Sequence, residues 1–390
     1  MNTQMLKMAI QLIMPSVSGK NSLASVVKCV RFSFEDSLLT LTSSNLEQSS
    51  MARCESDQGI TGSFLLDGEA VKALLRLSGE QTSFSIQGKS LAVSSGHVNL
   101  TLPTQEADGF PSMIEDSVCD WSDEISTELL ANAVQAVAHS AGREKHRQNL
   151  MGIRFIMKAD GTAITVATDG HRMSINEILV SNVFKSMLLP VSSIKAIQKS
   201  INDSMSCRIG VGKIQNEGMI VSGGQSFMIQ GETDLEEDDE EDFSIEWQHA
   251  FRLMAEQGYP DVESVFNLMI QGDKVDVLVD IKPIRSAIGL ANIFDSHKRC
   301  ILSFENNFLV LTTKSEKGQA VIQLGLLSTV PDSMADDYMV AVNGDYLMQS
   351  LGSCGADECL ISFPVQGNQS NKPLIISSGS KKDLIMPMRV

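Results

Sequence analysis

The 390-residue sequence lacks the long apolar segments and the regular cysteine spacing of membrane or secreted proteins. No uncharged apolar stretch approaches the roughly 18–20 residues that a membrane-spanning helix needs. The N-terminal segment MNTQMLKMAIQLIMPSV has too short an apolar run for a secretory signal peptide. Seven cysteines, an odd number scattered widely, are typical of reduced thiols in a cytosol. We therefore expect a cytoplasmic protein with no membrane partner.

Basic residues are in the minority. The chain has 31 Lys and Arg against 48 Asp and Glu, a formal net charge of −17. Proteins that hold nucleic acid by surface charge neutralise phosphates with Lys and Arg and lose affinity steeply as salt rises. The overall charge therefore argues against a protein that grips nucleic acid in this way.

The common catalytic and cofactor-binding motifs are also missing. The sequence contains no G-x-x-x-x-G-K-[ST], G-x-S-x-G, H-E-x-x-H or C-x-x-C segment. Cys354 and Cys359 have no second cysteine or histidine pair nearby to complete a tetrahedral zinc site, so packing near a helix end is the favoured interpretation. We predict no catalytic residue, no cofactor and no metal ion.

What the chain does contain is a repeated pattern in which a short apolar strand runs directly into an amphipathic helix. The three helices begin at residues suited to a helix start, which are Asp67, Pro190 and Asn343. A second helix, with the i, i+3, i+4, i+7 spacing of one buried face, precedes each of them. These earlier helices contain Met5 or follow Ser126 and Asp280. Short apolar runs between turn residues predict antiparallel strands.

The simplest fold is α+β, with three tandem domains at residues 1–122, 123–265 and 266–390. The second repeat is longer, and an acidic insertion at about residues 232–257 accounts for the extra length. Residues 232–242 include nine carboxylates among eleven residues, which predicts a solvated loop because like charges repel. A metal site is the weaker alternative, since contiguous carboxylates lack the spacing of a calcium loop. Trp247, Ala250 and Phe251 follow at helical spacing.

The segment Thr168–Arg172 is the strongest catalytic candidate. Asp169 and His171 could form a metal pair, or a general base with its orienting group. Against this, Asp-Gly between two strand-like runs is a strong hairpin signal, and we favour a turn. A turn does not explain the presence of His171 and Arg172, because neither residue is needed to form a hairpin.

Five short segments, in order along the chain, together resemble the bacterial sliding clamp family, the beta subunits of DNA polymerase III. They are Phe110–Pro111, Asn149–Ile153 (NLMGI), Ala167–Arg172 (ATDGHR), Tyr259–Pro260 and Met386–Val390 (MPMRV). The resemblance implies three DNA-clamp domains per chain, with antiparallel sheets outside and paired helices inside, and a ring-forming, head-to-tail homodimer.

The same resemblance implies a non-catalytic replication processivity factor, without exonuclease activity, that encircles double-stranded DNA independently of its sequence. The partners that it implies are replicative and other DNA polymerases and an ATP-dependent clamp loader. A ring held on DNA by topology needs only weak contacts, which is compatible with the negative net charge.

Basic residues on the predicted helices support this interpretation. Like-charged residues three or four positions apart cost a helix a few tenths of a kcal/mol, so a nearby polyanion is a reasonable cause. Ordinary solvated helix faces are the alternative. The candidate DNA-facing residues, including two loop segments, are Lys7, Lys20, Lys72, Arg76, Arg147, Gln148, Lys195, Lys199, Lys282 and Arg285.

The resemblance further implies an apolar pocket between the second and third domains that binds short hydrophobic peptides of polymerases and the clamp loader. Flexible, polarisable methionines suit a surface with several partners, and Pro387 keeps the tail from pairing as a central strand. A buried last strand is the alternative for the tail. Carried over by position, the pocket residues are Leu150, Thr168, Gly170, His171, Arg172, Met173, Pro260, Val265, Leu384, Met386, Pro387, Met388, Arg389 and Val390.

Two features depart from the family pattern. Ser264 stands where the family usually has Arg, and the acidic insertion precedes the pocket-forming Pro260 segment. Both departures leave the preferred peptide sequence open. They are compatible with a diverged or accessory member of the clamp family. Two other functions stay open: a metal-dependent nuclease or hydrolase that uses Asp169 and His171, and a peptide-binding scaffold that does not encircle DNA.

Overall fold

The computed structural model describes most of the chain. The described residues are 1–19, 22, 24–56, 58–111, 119–122, 124–158, 160–179, 186–201, 206–216, 219–235, 243–254, 258–330, 338–365 and 372–389. Within these ranges only the backbone is described at 119–120, 145, 195, 199–201, 212–216, 219–227, 233–235 and 243.

The α-helices of the described residues include all six that the sequence predicts, together with one more. They are α1 (Thr3–Ile13), α2 (Gly68–Leu74), α3 (Thr127–Ala138), α4 (Ile194–Ile201), α5 (Val262–Met269), α6 (Ile281–Phe294) and α7 (Gly344–Gly352).

The strands make up the larger part of the fold. In chain order they are β1 (Cys29–Glu35), β2 (Leu38–Ser44), β3 (Gln48–Glu55), β4 (Gly62–Asp67), β5 (Ser83–Gln87), β6 (Ser90–Ser95), β7 (Val98–Pro103), β8 (Gln105–Glu106), β9 (Cys119–Trp121), β10 (Ile125–Ser126), β11 (Gly152–Met157), β12 (Thr162–Thr168), β13 (Arg172–Leu179), β14 (Met187–Pro190), β15 (Ser206–Asn216), β16 (Met219–Leu235), β17 (Phe243–Arg252), β18 (Lys274–Asp280), β19 (Arg299–Glu305), β20 (Phe308–Ser315), β21 (Gly318–Gly325), β22 (Met339–Asn343), β23 (Glu358–Pro364), β24 (Leu374–Ser378) and β25 (Lys381–Ile385).

One compact unit comprises Met1–Ala131 and Ser192–Leu253. Its larger sheet has the order β10–β15–β16–β17–β3–β2–β1–β4–β8, and β5–β6–β7 form a separate sheet. Helix α1 packs its apolar face on β2, β3 and β17, and also contacts α2 and α4. Pairing of β17 with β3 joins strands from the first and second predicted domains in one sheet.

The other compact unit comprises Asn132–Val180, Ser186–Val191 and Met254–Val390. Its larger sheet has the order β14–β11–β12–β13–β25–β24–β23–β18, and its smaller sheet the order β21–β20–β19–β22. Helix α6 packs on the smaller sheet and against α7. All strand pairs with a defined register in both units are antiparallel, which confirms the α+β expectation.

The predicted helix starts are largely confirmed by side-chain caps. Asp67 accepts a hydrogen bond from the Glu69 N–H (2.9 Å), Asp280 from Lys282 (3.1 Å) and Asn343 from Asp345 (2.9 Å). Such caps satisfy amide groups that the first helical turn cannot pair internally. Pro190 differs, because it ends β14, and a short 3₁₀ turn separates it from α4.

The helical spacing after the acidic run is misleading. Residues 243–252 form the strand β17, between β16 and β3. Trp247, Gln248, His249, Ala250 and Phe251 are all buried, so both faces of the strand are covered and the alternation typical of a half-buried strand is absent. Residues 232–235 of the acidic run extend β16 as a strand, and 236–242 lie outside the described residues.

No helix among the described residues is long and apolar enough to cross a membrane.

His249 is fully buried in the first unit, between the rings of Trp247 and Phe251. Its Nδ1 lies 2.7 Å from the Ser50 hydroxyl, which in turn lies 2.5 Å from the Ser16 hydroxyl. Burial disfavours the charged imidazolium and lowers the pKa of His249 to about 3. The histidine is therefore a neutral structural residue at physiological pH.

We predict that lowering the pH from 7 to 5 costs about 2 kcal/mol of unfolding free energy through His249. The unfolded histidine takes up a proton near its ordinary pKa of 6.5, whereas the folded one stays neutral until pH approaches its pKa of about 3. Urea unfolding at both pH values should therefore show a larger loss in the wild type than in His249→Gln. Equal losses in the two proteins would contradict the assignment.

Candidate functional site

The segment that suggested either a turn or a catalytic pair is a turn. Residues 169–171 connect β12 to β13, and Gly170 has φ +88°, a conformation that favours glycine. The Thr168 hydroxyl donates to the Arg172 carbonyl (2.7 Å) and accepts from the Gly170 N–H (3.1 Å). The hairpin prediction is confirmed.

Arg172 has a structural reason to follow this turn. Its side chain is only 5% exposed, and its Nε donates to Asp169 Oδ2 (3.0 Å). Its Nη1 donates to Gln349 Oε1 (2.8 Å) on α7, and the guanidinium lies 4.1 Å from the ring centroid of Tyr346. Burial, reinforced by the negative charge of Asp169, raises the pKa of Tyr346. The arginine thus attaches the hairpin to α7.

Asp169 has little remaining capacity for catalysis. Its Oδ1 accepts the backbone N–H groups of His171 (2.9 Å) and Arg172 (3.0 Å), while Oδ2 pairs with the Arg172 side chain. His171 is exposed. Among the described side chains, no three His, Cys, Asp or Glu residues converge to hold a metal ion. The geometry gives Asp169 a structural role.

The C-terminal tail lies beside this hairpin. In the β13–β25 ladder, Met173 is opposite Leu384 and Arg172 is opposite Ile385. Beyond the strand, the Met386 N–H donates to the His171 carbonyl (2.9 Å). The Met388 N–H donates to the Ala341 carbonyl (2.7 Å) on β22. The tail is therefore a central strand as far as Ile385 and then a half-exposed extension.

An apolar cluster adjoins the hairpin and the tail. Four of the pocket residues proposed from the sequence belong to it: Leu150, Met173 and Leu384 are buried, and Val265 is partly buried. Side chains from several elements complete it, namely Ile164, Val166, Leu188, Tyr259, Val262, Ile375, Ile156, Ile175, Met254, Phe266, Met269 and Ile270. The structure thus brings residues that are far apart in the chain into one apolar group.

Helix α5 is the element that the sequence analysis missed. Asp261 caps it, with Oδ1 accepting from the Ser264 N–H (3.3 Å) and Oδ2 accepting from the Ser264 hydroxyl (2.7 Å). These two hydrogen bonds lower the pKa of Asp261. The signal was present: an Asp cap followed by apolar residues 262, 265, 266 and 269 at helical spacing. Ser264 is thus the capping partner of Asp261.

The other proposed pocket residues lie around this cluster with different exposure. Thr168 and Arg172 are buried, Pro260, Met386, Pro387 and Met388 are half-buried, and Gly170, His171 and Arg389 are exposed. Val390 lies outside the described residues. Among the residues not proposed, Tyr259 donates from its hydroxyl to the Val166 carbonyl (3.3 Å), and burial raises the pKa of Tyr259.

The basic residues proposed to face DNA are mostly exposed where the side chains are described. Lys72, Arg76, Lys282 and Arg285 are exposed on or next to α2 and α6, and Lys7 is half-buried on α1. Arg147 and Gln148 are exposed in a short helical turn. Lys195 and Lys199 lie in α4 with side chains outside the description, and Lys20 is not described.

The exposed side of α6 has two distinct parts. Lys282 and Arg285 lie near its N-terminal end, where the helix dipole disfavours positive charge. Leu290 and Ile293, 56% and 67% exposed, lie near its C-terminal end. A basic patch and an apolar patch thus share one helix.

The comparisons with known families identify two domains. The model of the DNA polymerase III beta subunit, N-terminal domain, matches residues 1–114, and that of the central domain matches residues 124–230. Together the two matches cover more than half of the chain.

Individual relatives extend the similarity over almost the whole chain. The chain is 24% identical to the beta sliding clamp of Streptomyces coelicolor over 374 residues, 91% of this chain and 90% of that protein. It is 28% identical to the beta sliding clamp of Haemophilus influenzae over 176 residues, 42% and 46% of the two chains.

Solved structures show the same fold. The DNA polymerase III beta subunit of Thermotoga maritima aligns with a TM-score of 0.79 at 20% identity and covers 100% of this chain and 98% of that one. A sliding clamp of Pseudomonas aeruginosa bound to griselimycin aligns with a TM-score of 0.78 at 19% identity, with coverage of 100% and 98%.

We predict that Asp169→Asn lowers the unfolding free energy by about 2 kcal/mol. Asparagine keeps an acceptor for the turn amides but leaves the buried Arg172 guanidinium without its counter-charge. Glu69→Gln, which removes the exposed Lys72–Glu69 pair (2.7 Å), is the matched control and should cost at most about 0.5 kcal/mol. Urea unfolding measures both, and an equally small cost for both would contradict the structural role of Asp169.

Proposed function

The chain belongs to the DNA polymerase III beta-subunit family, and we propose that it is a sliding clamp. In this role two copies form a ring around duplex DNA and tether DNA polymerases to it, without any chemistry of their own. The observation that carries the proposal is the match of two consecutive family domains together with full-length similarity to a beta sliding clamp. We place the protein in the cytoplasm.

We further propose that the chain forms three clamp domains at residues 1–122, 123–265 and 266–390. Under this division, the two larger sheets join neighbouring domains through the pairs β17–β3 and β13–β25. The two smaller sheets each belong to one terminal domain. Sheet continuity between consecutive domains is what a closed ring of repeated domains requires.

The remaining edges suggest how two copies join. Among the described strands, β21 pairs only with β20, while β5 and β7 pair only with β6. An unpaired edge presents N–H and C=O groups that can pair with another chain. We propose that β21 of one copy pairs with β5 or β7 of the other, with Leu290 and Ile293 of α6 packed at the same contact. This arrangement is a head-to-tail homodimer.

The charge distribution suits a ring that slides. The exposed basic residues of α2 and α6 provide weak attraction to phosphates, whereas the chain as a whole carries −17. A ring that is retained by topology does not depend on the strong phosphate contacts of an open DNA-binding protein. Loading onto DNA is assigned to a separate, ATP-dependent clamp loader, because the sequence contains no nucleotide-binding motif.

We propose that the apolar cluster and the tail form the docking site for short hydrophobic segments of polymerases and the clamp loader. The partly buried Val265 and the half-buried Met386, Pro387 and Met388 offer an apolar surface to such a segment. Unbranched methionines repack easily, which suits several partners. Arg172 contributes indirectly, since its contacts fix the hairpin that supports the tail.

The ring predicts a topological association with DNA. With the cognate clamp loader and ATP, the protein should remain on nicked circular plasmid in high salt and leave after the plasmid is linearised. Ile293→Asp should give the single-chain mass in light scattering and lose plasmid retention, because a charge at the proposed contact opposes its burial.

The matched control is Leu179→Asp, at a leucine that is 78% exposed on β13 outside the proposed contact. It should keep both the dimer, at twice the mass of the chain, and plasmid retention. Equal retention of the wild type on circular and linear DNA would refute encirclement.

The docking site predicts that removal of Met386–Val390 abolishes binding of a fluorescein-labelled hydrophobic peptide from the replicative polymerase while the dimer persists. Val265→Ser should weaken the same binding about tenfold, because a loss of roughly 1.4 kcal/mol of apolar contact corresponds to that factor. Fluorescence anisotropy measures both affinities.

Leu268→Ser provides the control on the same helix. Leu268 is 65% exposed and does not belong to the cluster of buried and partly buried apolar residues around Val265. Its substitution should leave peptide affinity unchanged. Unchanged affinity after the tail deletion would show that the peptide binds elsewhere.

A further inference from the structure

Three lysines from distant parts of the chain converge on the short helix α5. Lys274 lies on β18, Lys372 two residues before β24, and Lys382 on β25. Lys274 and Lys372 are half-buried, and Lys382 is exposed. Since the chain carries a net charge of −17, a local convergence of positive side chains needs a physical reason.

Two of the lysines bind the C-terminal end of the helix. The Lys274 ammonium donates a hydrogen bond to the Ile270 carbonyl. The Lys372 ammonium donates to the Gln271 carbonyl (3.4 Å). These are the first two carbonyls after α5, where the helix dipole favours a nearby cation. The two lysines thus supply positive charge to a helix that has no basic residue in its own last turn.

The backbone leaves room for the second of these contacts. Gly272 has φ +102°, a conformation that favours glycine. A Cβ added at Gly272 would collide with the Lys372 ammonium. The glycine therefore allows the chain to turn after α5 and allows Lys372 to reach the Gln271 carbonyl.

The third lysine contacts a side chain of the helix. The Lys382 ammonium lies 6.0 Å from the ring centroid of Phe266, at the limit of a cation–π interaction. Because side chains alternate along a strand, Lys382 and Leu384 point to the same face of the sheet. Phe266 and Leu384 both belong to the apolar cluster next to the hairpin and the tail. Lys382 thus connects α5 with β25 at the margin of that cluster.

Helix α5 depends on such contacts because it is short and incompletely buried. Of its eight residues, Val262 is buried, while Val265, Phe266 and Met269 are partly buried. An isolated helix of this length is not stable in water. Asp261 caps its N-terminal end. The lysines provide the corresponding contacts at its C-terminal end.

Electrostatic repulsion between the lysines opposes their convergence. Burial lowers the pKa of Lys274, and the charge of Asp276 partly reverses this effect. Lys372 and Lys382 lower that pKa further. The three ammonium groups lie together despite this repulsion because α5 offers them carbonyl and aromatic partners.

We propose that Lys274, Lys372 and Lys382 are positioning residues of the docking site. They hold the C-terminal end of α5 against β18 and β25, and α5 in turn presents Val265 and Phe266 to the hydrophobic segment of a partner. This role depends on the proposed docking function, since without a docked segment the lysines would only stabilise a helix.

Hydrogen exchange of the full-length protein, followed by mass spectrometry of the peptides that cover residues 262–270, measures how firmly α5 is held. In the double variant Lys274→Met, Lys372→Met these amides should exchange about tenfold faster, because two cations leave the helix end. Lys372→Met alone should give about threefold faster exchange, and it replaces the double variant if that protein does not fold. Lys372→Arg keeps a charged donor and should lie closer to the wild type.

The matched control is Lys298→Met. Lys298 is also half-buried, and its ammonium donates to the Asn292 carbonyl (2.8 Å) near the end of α6. The substitution removes the same kind of contact from a helix outside the docking site. It should leave the exchange of residues 262–270 and the affinity for the docking peptide unchanged.

Fluorescence anisotropy with the labelled polymerase peptide tests the functional part. The apparent affinity falls with the fraction of molecules in which α5 is in place, so we expect the double variant to bind about two- to threefold more weakly. Conversely, bound peptide should slow the exchange of residues 262–270 in the double variant towards the wild-type rate, because the coupling is reciprocal.

Unchanged exchange of residues 262–270 in the double variant would overturn the proposal. Faster exchange with unchanged peptide affinity, and no slowing by the peptide, would also overturn it, because the lysines would then have only a structural role. A wild type that binds no peptide would refute the docking function itself. The exchange rates without peptide distinguish that failure from a failure of the lysine contacts.

Discussion

The antiparallel pairing of β13 with β25 is the constraint on which the candidate docking site depends. It places the hairpin residues 168–173 beside residues 384–388, which are more than two hundred positions away in the chain. Because side chains alternate across a sheet, this register decides that Met173 and Leu384 share one apolar cluster. A shift of β25 by one residue would turn Leu384 to the face opposite Met173 and separate the tail from the hairpin carbonyl that it contacts.

Buried polar groups hold this arrangement in place. The Arg172 guanidinium links Asp169 in the turn to Gln349 and Tyr346 on α7, while Lys381 links β25 to the end of the same helix. Buried ion pairs contribute little net stability compared with apolar residues of the same shape, but they are costly to break. Their main effect is therefore to favour one specific arrangement of the segments that they connect. The helix, the hairpin and the last strand are thereby connected next to the C-terminal tail.

Charge is distributed differently at the surface. Acidic residues dominate the sequence, and several of them act as caps or pair locally, as Asp67, Asp261 and Asp280 do. Exposed basic residues remain on α2 and α6. The division of α6 into a basic start and an apolar end gives one helix two partners under the proposed function, duplex DNA and a second copy of the chain. A negative protein can thus attract DNA locally without adhering to it over its whole surface.

The sequence by itself determined those features that depend on neighbouring residues. The capped helix starts at Asp67, Asp280 and Asn343 and the Asp-Gly turn were predicted correctly, because a cap or a turn is a local hydrogen-bond arrangement. The motif segments also carried the family resemblance. Burial on both faces of β17 could not be read from the spacing of Trp247, Ala250 and Phe251, since it depends on strands and helices that pack from elsewhere.

Only the tertiary structure decided which distant segments meet. It brought Leu150, Met173, Val265 and Leu384 into one cluster. It also paired Asp169, which the sequence had offered with His171 as a catalytic candidate, with the buried side chain of Arg172. The physical reason is that short-range propensities fix turns and caps, whereas strand register and burial are set by contacts between residues far apart in the chain.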